Sequence, residues 1–138
     1  MELLASAEGR LTGPDYQVSL KSGKHQFLAD EPLELQGADT GPDPYSLVLA
    51  GLIACTSITL KMYASRKDWP LENVHVECRL IRSTSGASPE IERHIALQGN
   101  LDEEQKQRLL QIANACPVHK LLVAGVQIRT ISMGSQGR

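Results

Sequence analysis

The chain has 138 residues, enough for one domain with a single sizeable core. Lys and Arg number 14 against 16 Asp and Glu, and the formal net charge of -2 provides no basic field to recruit nucleic acid. Apolar residues make up 41%, charged residues 22% and aromatics 4%, which argues against disorder and against base-stacking platforms. Three cysteines stand at Cys55, Cys78 and Cys116. Met1 to Arg10 carries no apolar signal core, so an odd, low count of thiols reads as reduced cysteines in the cytoplasm, not as a disulfide scaffold.

Residues 1–42 read as N-terminal strands and a loop. Gly13-Pro14-Asp15 is a turn signal, and Tyr16 to Leu20 alternates with period two as a half-buried strand. Lys21-Ser22-Gly23-Lys24 turns the chain into a second short strand, His25 to Ala29, which Asp30-Glu31-Pro32 ends. Gln36 to Pro44, rich in Gly, Pro and Asp, is a loop.

Residues 43–67 predict a central helix carrying Cys55. Asp43 suits its N-cap and Pro44 its first position. The 17 residues from Pro44 to Leu60 carry no charge, at the lower limit for crossing a bilayer, and no flanking anchors accompany them. A buried core helix is the preferred reading. A helix apolar nearly all round needs cover on every side, which a second copy would supply.

Asp68-Trp69-Pro70 breaks this helix. Residues 73–98 predict a strand pair joined by a loop from Ser83 to Pro89. Residues 102–123 predict helices with Cys116, opened by Asp102 with Glu103 and Glu104 in the first turn, where the helix dipole favours acids. Val126 to Ile131 is expected as a last strand, and Ser132 to Arg138 as a frayed tail. Strands and helices are segregated, so the fold class is α+β.

The thiols differ in setting. Cys55 lies too deep in its helix for that helix's own dipole to help it, so a reactive Cys55 needs a neighbouring cation or hydrogen-bond donor. Read alone, it is more often an inert buried cysteine that packs like a small apolar side chain. Cys116 precedes Pro117, which places it at the N-cap of a short helix, where amide donors favour a thiolate. His119, one turn on, could share its proton. Cys78 sits in an alternating strand and reads as packing. Cys116 and His119 have the spacing of half a zinc site, but His25, His75, His94 and Cys78 are scattered singly, and neither a metal nor a cofactor is expected.

The strings Ala29-Asp30-Glu31-Pro32, Gly37 to Tyr45, Leu52 to Leu60 around Cys55, and Ile112 to Lys120 around Cys116 resemble the OsmC/Ohr family. The resemblance covers nearly the whole chain and includes Trp69-Pro70-Leu71 after the central helix. It implies an intertwined α+β homodimer, with long central helices enclosed by antiparallel sheets. It implies a thiol peroxidase for organic hydroperoxides in oxidative stress defence, with Cys55 as peroxidatic thiolate, Cys116 as resolving thiol and an external dithiol as reductant. No nucleic-acid or membrane partner is implied. Well-studied branches of the family carry a glutamate ten positions before the first cysteine and an arginine in the first turn. Here those places hold Tyr45 and Gly13-Pro14-Asp15. Candidates to stabilise the thiolate instead are His119, Asp43, Arg10, His25, Arg66 and Lys24. An apolar pocket containing Leu52 and Ile58 would select alkyl peroxides. The alternative reading is a dimeric binding protein with an apolar interface pocket and redox-responsive thiols.

Overall fold

The computed structural model describes residues 1–82 and 84–134. Ser83, at the head of the expected 83–89 loop, and residues 135–138 of the expected tail lie outside the described residues. The chain forms two compact units, residues 1–53 with 77–94, and residues 54–76 with 95–138.

The first unit opens with a three-stranded antiparallel meander, β1 (Glu8–Leu11), β2 (Val18–Ser22) and β3 (His25–Ala29). Glu8 pairs with Lys21, and Val18 with Ala29. The β2–β3 connection is two residues long, and Gly23 takes the left-handed φ of 60° that such a tight turn needs. After β3, a 3-10 turn (Leu33–Leu35) leads into the loop that the Gly and Pro content predicts.

Asp30 organises that loop. Its side chain is almost fully buried, and its carboxylate accepts from the amides of Glu31 (2.7 Å), Ala38 (3.3 Å) and Thr40 (3.1 Å) and from the Thr40 hydroxyl (2.7 Å). The Thr40 hydroxyl contributes most to holding the Asp30 carboxyl below its usual pKa, outweighing the opposing effect of burial, and the three amides add to it. Gly41 passes so close to the Leu28 carbonyl oxygen that a Cβ would collide with it, so the loop must carry glycine there.

Helix α1 (Pro44–Arg66) follows. The Ser46 amide and hydroxyl both donate to the Asp43 carboxylate, and the Leu47 amide to the Asp43 carbonyl, so Asp43 caps the helix and Pro44 occupies its first turn. Leu52, Thr56, Leu60 and Ala64 are buried at every fourth position, the spacing of one helix face. At the C-terminus the Trp69 amide donates to the Ala64 carbonyl (2.8 Å) and the Asp68 amide to the Ser65 carbonyl (3.2 Å). Asp68 sits at φ 57°, which makes this a Schellman stop with Asp68 in the left-handed position. Pro70 prevents any continuation.

Strands β4 (Leu71–Ile81) and β5 (Glu90–Gly99) make a second, two-stranded sheet. Asn73 bonds Gln98 and Arg79 pairs with Glu92, a constant register sum that marks the pair as antiparallel.

Helix α2 (Glu103–Ile112) starts with a capping box. Asp102 accepts from the Gln105 amide (2.8 Å), and the Gln105 side chain accepts from the Asp102 amide (2.9 Å). A 3-10 turn (Ala113–Ala115) runs into helix α3 (Pro117–Ala124), which ends at Gly125 with φ 79°.

In the second unit, the apolar faces of α1 and α2 meet the start of β4. Leu60, Ala64, Leu71, Leu101, Leu109 and Ala113 form one buried cluster, with Trp69 and Tyr63 packed against it. Those two rings meet edge to face at 5.5 Å.

The strand expected over 126–131 does not form. Residues 125–134 are without regular structure, and Val126, Ile128 and Ile131 are exposed. Their alternation suits a strand, but a strand needs a neighbour to complete its hydrogen-bond ladder, and this segment joins neither sheet.

Candidate functional site

Cys55 and Cys116 stand 61 positions apart in sequence and come together in the second unit, each among the groups that act on the other's thiol. Each arrives by a different local rule. Cys55 is carried by the regular turn of α1. At 100° per residue it shares a face with Thr59, Ile58 and Met62, apart from the buried face of Thr56, Leu60 and Ala64. Cys55 is half-buried, whereas Ile58 and Met62 beside it are exposed. Cys116 stands at the N-cap of α3 with no solvent exposure, because Pro117 occupies the first helical position.

The hydrogen bonds around the two sulfurs are unequal. Cys116 Sγ accepts from the His119 amide at 3.4 Å, as an N-cap side chain should. It also takes donors from the Cys55 thiol, the Val118 amide and the Thr56 hydroxyl. Burial is the largest influence on Cys116 and pushes its pKa up, but these four donors together hold it below the ordinary thiol value. For Cys55 the balance is reversed. Burial pushes its pKa up first, the Cys116 sulfur adds to that by hydrogen bond and charge, and the Val118 amide and Thr59 hydroxyl only partly offset them.

Thr56, Thr59 and the Val118 amide were not singled out from the sequence. Thr59 was the legible one, since it stands four residues after Cys55 on one helix face. Thr56 reaches a sulfur from a distant segment and had no such signal.

His119, one of the residues expected to stabilise the thiolate, reaches Cys116 through its backbone amide. Arg66 does not serve Cys55: eleven residues on along α1, it is about 16 Å away along the axis at 1.5 Å per residue. Asp43 is engaged as the α1 cap. Arg10 lies on β1, His25 at the start of β3 and Lys24 in the turn before it, all in the first unit. Leu52 is buried while Ile58 is exposed. A cleft of about 420 Å³ in the first unit is lined by residues including Leu11, Tyr16, Val18, Leu35 and Pro44.

Cys78, on β4 in the first unit, has its pKa raised by burial and partly drawn back by the charge of Arg93. Among the described residues, no group of three or more His, Cys, Asp or Glu side chains is placed to hold a metal ion.

The fold resembles solved structures over most of its length. An OsmC-like protein from Mycoplasma pneumoniae superposes with a TM-score of 0.76 at 22% identity, over 89% of each chain. A putative osmotic stress induced and detoxification response protein from Psychrobacter arcticus gives 0.72 at 17% identity, over 87% of this chain and 89% of that one. The organic hydroperoxide resistance protein OhrB of Bacillus subtilis gives 0.60 at 23% identity, over 86% and 89%. No curated protein matches the chain. At these identities the structures establish the fold. The family description "OsmC-like protein" matches residues 37–131, which include both cysteine segments, and the chain belongs to that family.

Proposed function

We propose that this protein is a thiol peroxidase that reduces organic hydroperoxides, with Cys55 as the attacking sulfur and Cys116 as the resolving one. The observation that carries this reading is the convergence of one half-buried and one fully buried cysteine from segments 61 positions apart. The organic hydroperoxide resistance proteins among its structural relatives support the substrate class.

Cys55 faces the side of α1 that carries Ile58 and Met62, apolar side chains suited to an alkyl group beside the attacking sulfur. The Cys55 sulfur attacks the terminal peroxide oxygen, the O–O bond breaks, and an alcohol leaves. Cys55 becomes a sulfenic acid. Cys116 attacks the Cys55 sulfur, water leaves and a disulfide forms. An external dithiol reduces it by exchange.

The active form is a homodimer. The most apolar 18-residue stretch of α1 has a mean hydropathy of 1.7, and only 22% of it is buried within one chain. Val126, Ile128 and Ile131 are likewise uncovered. A second copy would bury both.

The test is consumption of tert-butyl hydroperoxide with dithiothreitol as reductant. The wild type is expected to turn over. Cys55→Ser is expected to lose turnover, and Cys116→Ser to turn over more slowly, because dithiothreitol must then resolve the Cys55 sulfenic acid itself. Full turnover by Cys55→Ser would overturn the proposal.

A further inference from the structure

Every residue lining the cleft of about 420 Å³ belongs to the first unit, whereas Cys55 and Cys116 belong to the second. Its volume falls in the range of small-molecule sites, roughly 300–1,000 Å³. Its apolar wall follows from strand register. Leu11 pairs with Val18 and Val18 with Ala29, so the three form one row on one face of the meander. Leu35, from the 3-10 turn after β3, and Tyr16, just before β2, complete the wall. Leu11, Tyr16 and Leu35 are all exposed. The parts of the cleft are tied together. The Gln17 side chain donates to the Thr40 hydroxyl (2.9 Å), which itself donates to Asp30 (2.7 Å). The turn that carries Tyr16 is thereby fixed to the loop that follows β3.

The charge in this cleft is of one sign. Asp30 and Glu31 line it, and its lining residues include no Lys, Arg or His. Arg10 and Lys21, the cations of β1 and β2, line a different cleft on the opposite face of the sheet, because side chains alternate across the pleat. Asp30 is only 2% exposed, and the groups bonded to it are three amides and a hydroxyl, which solvate its charge without cancelling it. Glu31 beside it is half-buried. Two carboxylates, an aromatic ring and an apolar wall are together the surroundings that favour an organic cation.

We propose that this cleft binds a small amphiphilic amine: its ammonium group meets the Glu31 carboxylate and the ring of Tyr16 within the field of Asp30, and its apolar body lies against Leu11, Val18 and Leu35. A neutral ligand of the same shape gains only the apolar contacts, and an anion is repelled. The peroxidase reading neither requires this site nor supplies it.

The test titrates the reduced, isotope-labelled chain with phenylbutylamine, phenylbutanol and phenylbutyrate, which share one apolar body and differ in charge, and follows the backbone amides by NMR. Shifts are expected at Tyr16, Val18, Asp30 and Leu35. The amine is expected to bind at least about tenfold more tightly than the alcohol, the size of one hydrogen bond to a charged group, and the butyrate to bind most weakly. Glu31 enters the loop's bonding through its backbone, its amide donating to Asp30 and its carbonyl accepting from the Asp39 amide (3.1 Å). Glu31→Gln therefore removes a charge and keeps those bonds. It is expected to weaken the amine about fivefold or more and to leave the alcohol unchanged. Equal affinity for amine and alcohol, shifts confined to other residues, or an amine whose affinity survives Glu31→Gln would each overturn the proposal. So would the absence of any shift at millimolar amine, the result expected if a second copy of the chain fills the cleft.

Discussion

At the scale of single residues, the two thiols show how much a short motif can decide. Cys116-Pro117 alone predicts an N-cap cysteine, because proline cannot donate an amide and fits the first helical position. The structure places Cys116 there, with His119 donating at 3.4 Å. Its approach to Cys55 was not legible, because the two stand 61 residues apart and nothing local to either cysteine encodes it. The Thr56 hydroxyl was hidden for the same reason. Asp30 was read only as part of a strand end, because its role depends on Ala38 and Thr40 turning back toward it. Its carboxyl is held below its usual pKa by the Thr40 hydroxyl first, so the charged form is favoured in the fold. The stability this gives is present above the usual carboxylate pKa, about 4, and is lost as pH falls through the lowered value. Asp30→Asn is expected to lower the melting temperature by a few degrees at neutral pH and to flatten the melting curve's acid dependence. Thermal scans across the acid range measure both.

At the scale of elements, helix ends were the most legible features. The Asp43 and Asp102 caps each depend on a residue type within three positions of the helix start, and the stop at Asp68-Trp69-Pro70 is equally local. Asp102→Ala removes one acceptor of the α2 capping box and is expected to cost about 1 kcal/mol. Leu109→Ala opens a void in the cluster around Leu60 and Leu71 and is expected to cost about 2–5 kcal/mol. Denaturant titration of both variants checks the ranking. Gly99 takes φ 143° and lies against the Pro70 carbonyl oxygen, so Gly99→Ala should destabilise the end of β5 despite the small change. The 126–131 strand could not be read correctly from its alternation. Period two shows that a segment suits a sheet, but not whether this chain provides the neighbour.

At the scale of the whole molecule, the uncharged run of α1 is the feature that extends furthest. Within one chain, α1 buries the face of Leu52, Thr56, Leu60 and Ala64, leaving Val48, Ile58 and Met62 about half exposed. Three apolar side chains beside the attacking sulfur have a clear use if a second copy covers them. Ile58→Glu is expected to weaken association while leaving the melting cooperative, because Ile58 lies outside the buried cluster. Sedimentation of wild type and variant over a concentration series reads this. A wild type that stays monomeric throughout would remove the homodimer.

Treating reduced wild-type protein with one equivalent of tert-butyl hydroperoxide and mapping its cysteines tests the redox pair most directly. The expected result is one alcohol released per chain and one intramolecular disulfide joining Cys55 to Cys116, with Cys78 still a free thiol. Unreacted thiols, or a disulfide that includes Cys78 in place of Cys116, would contradict it.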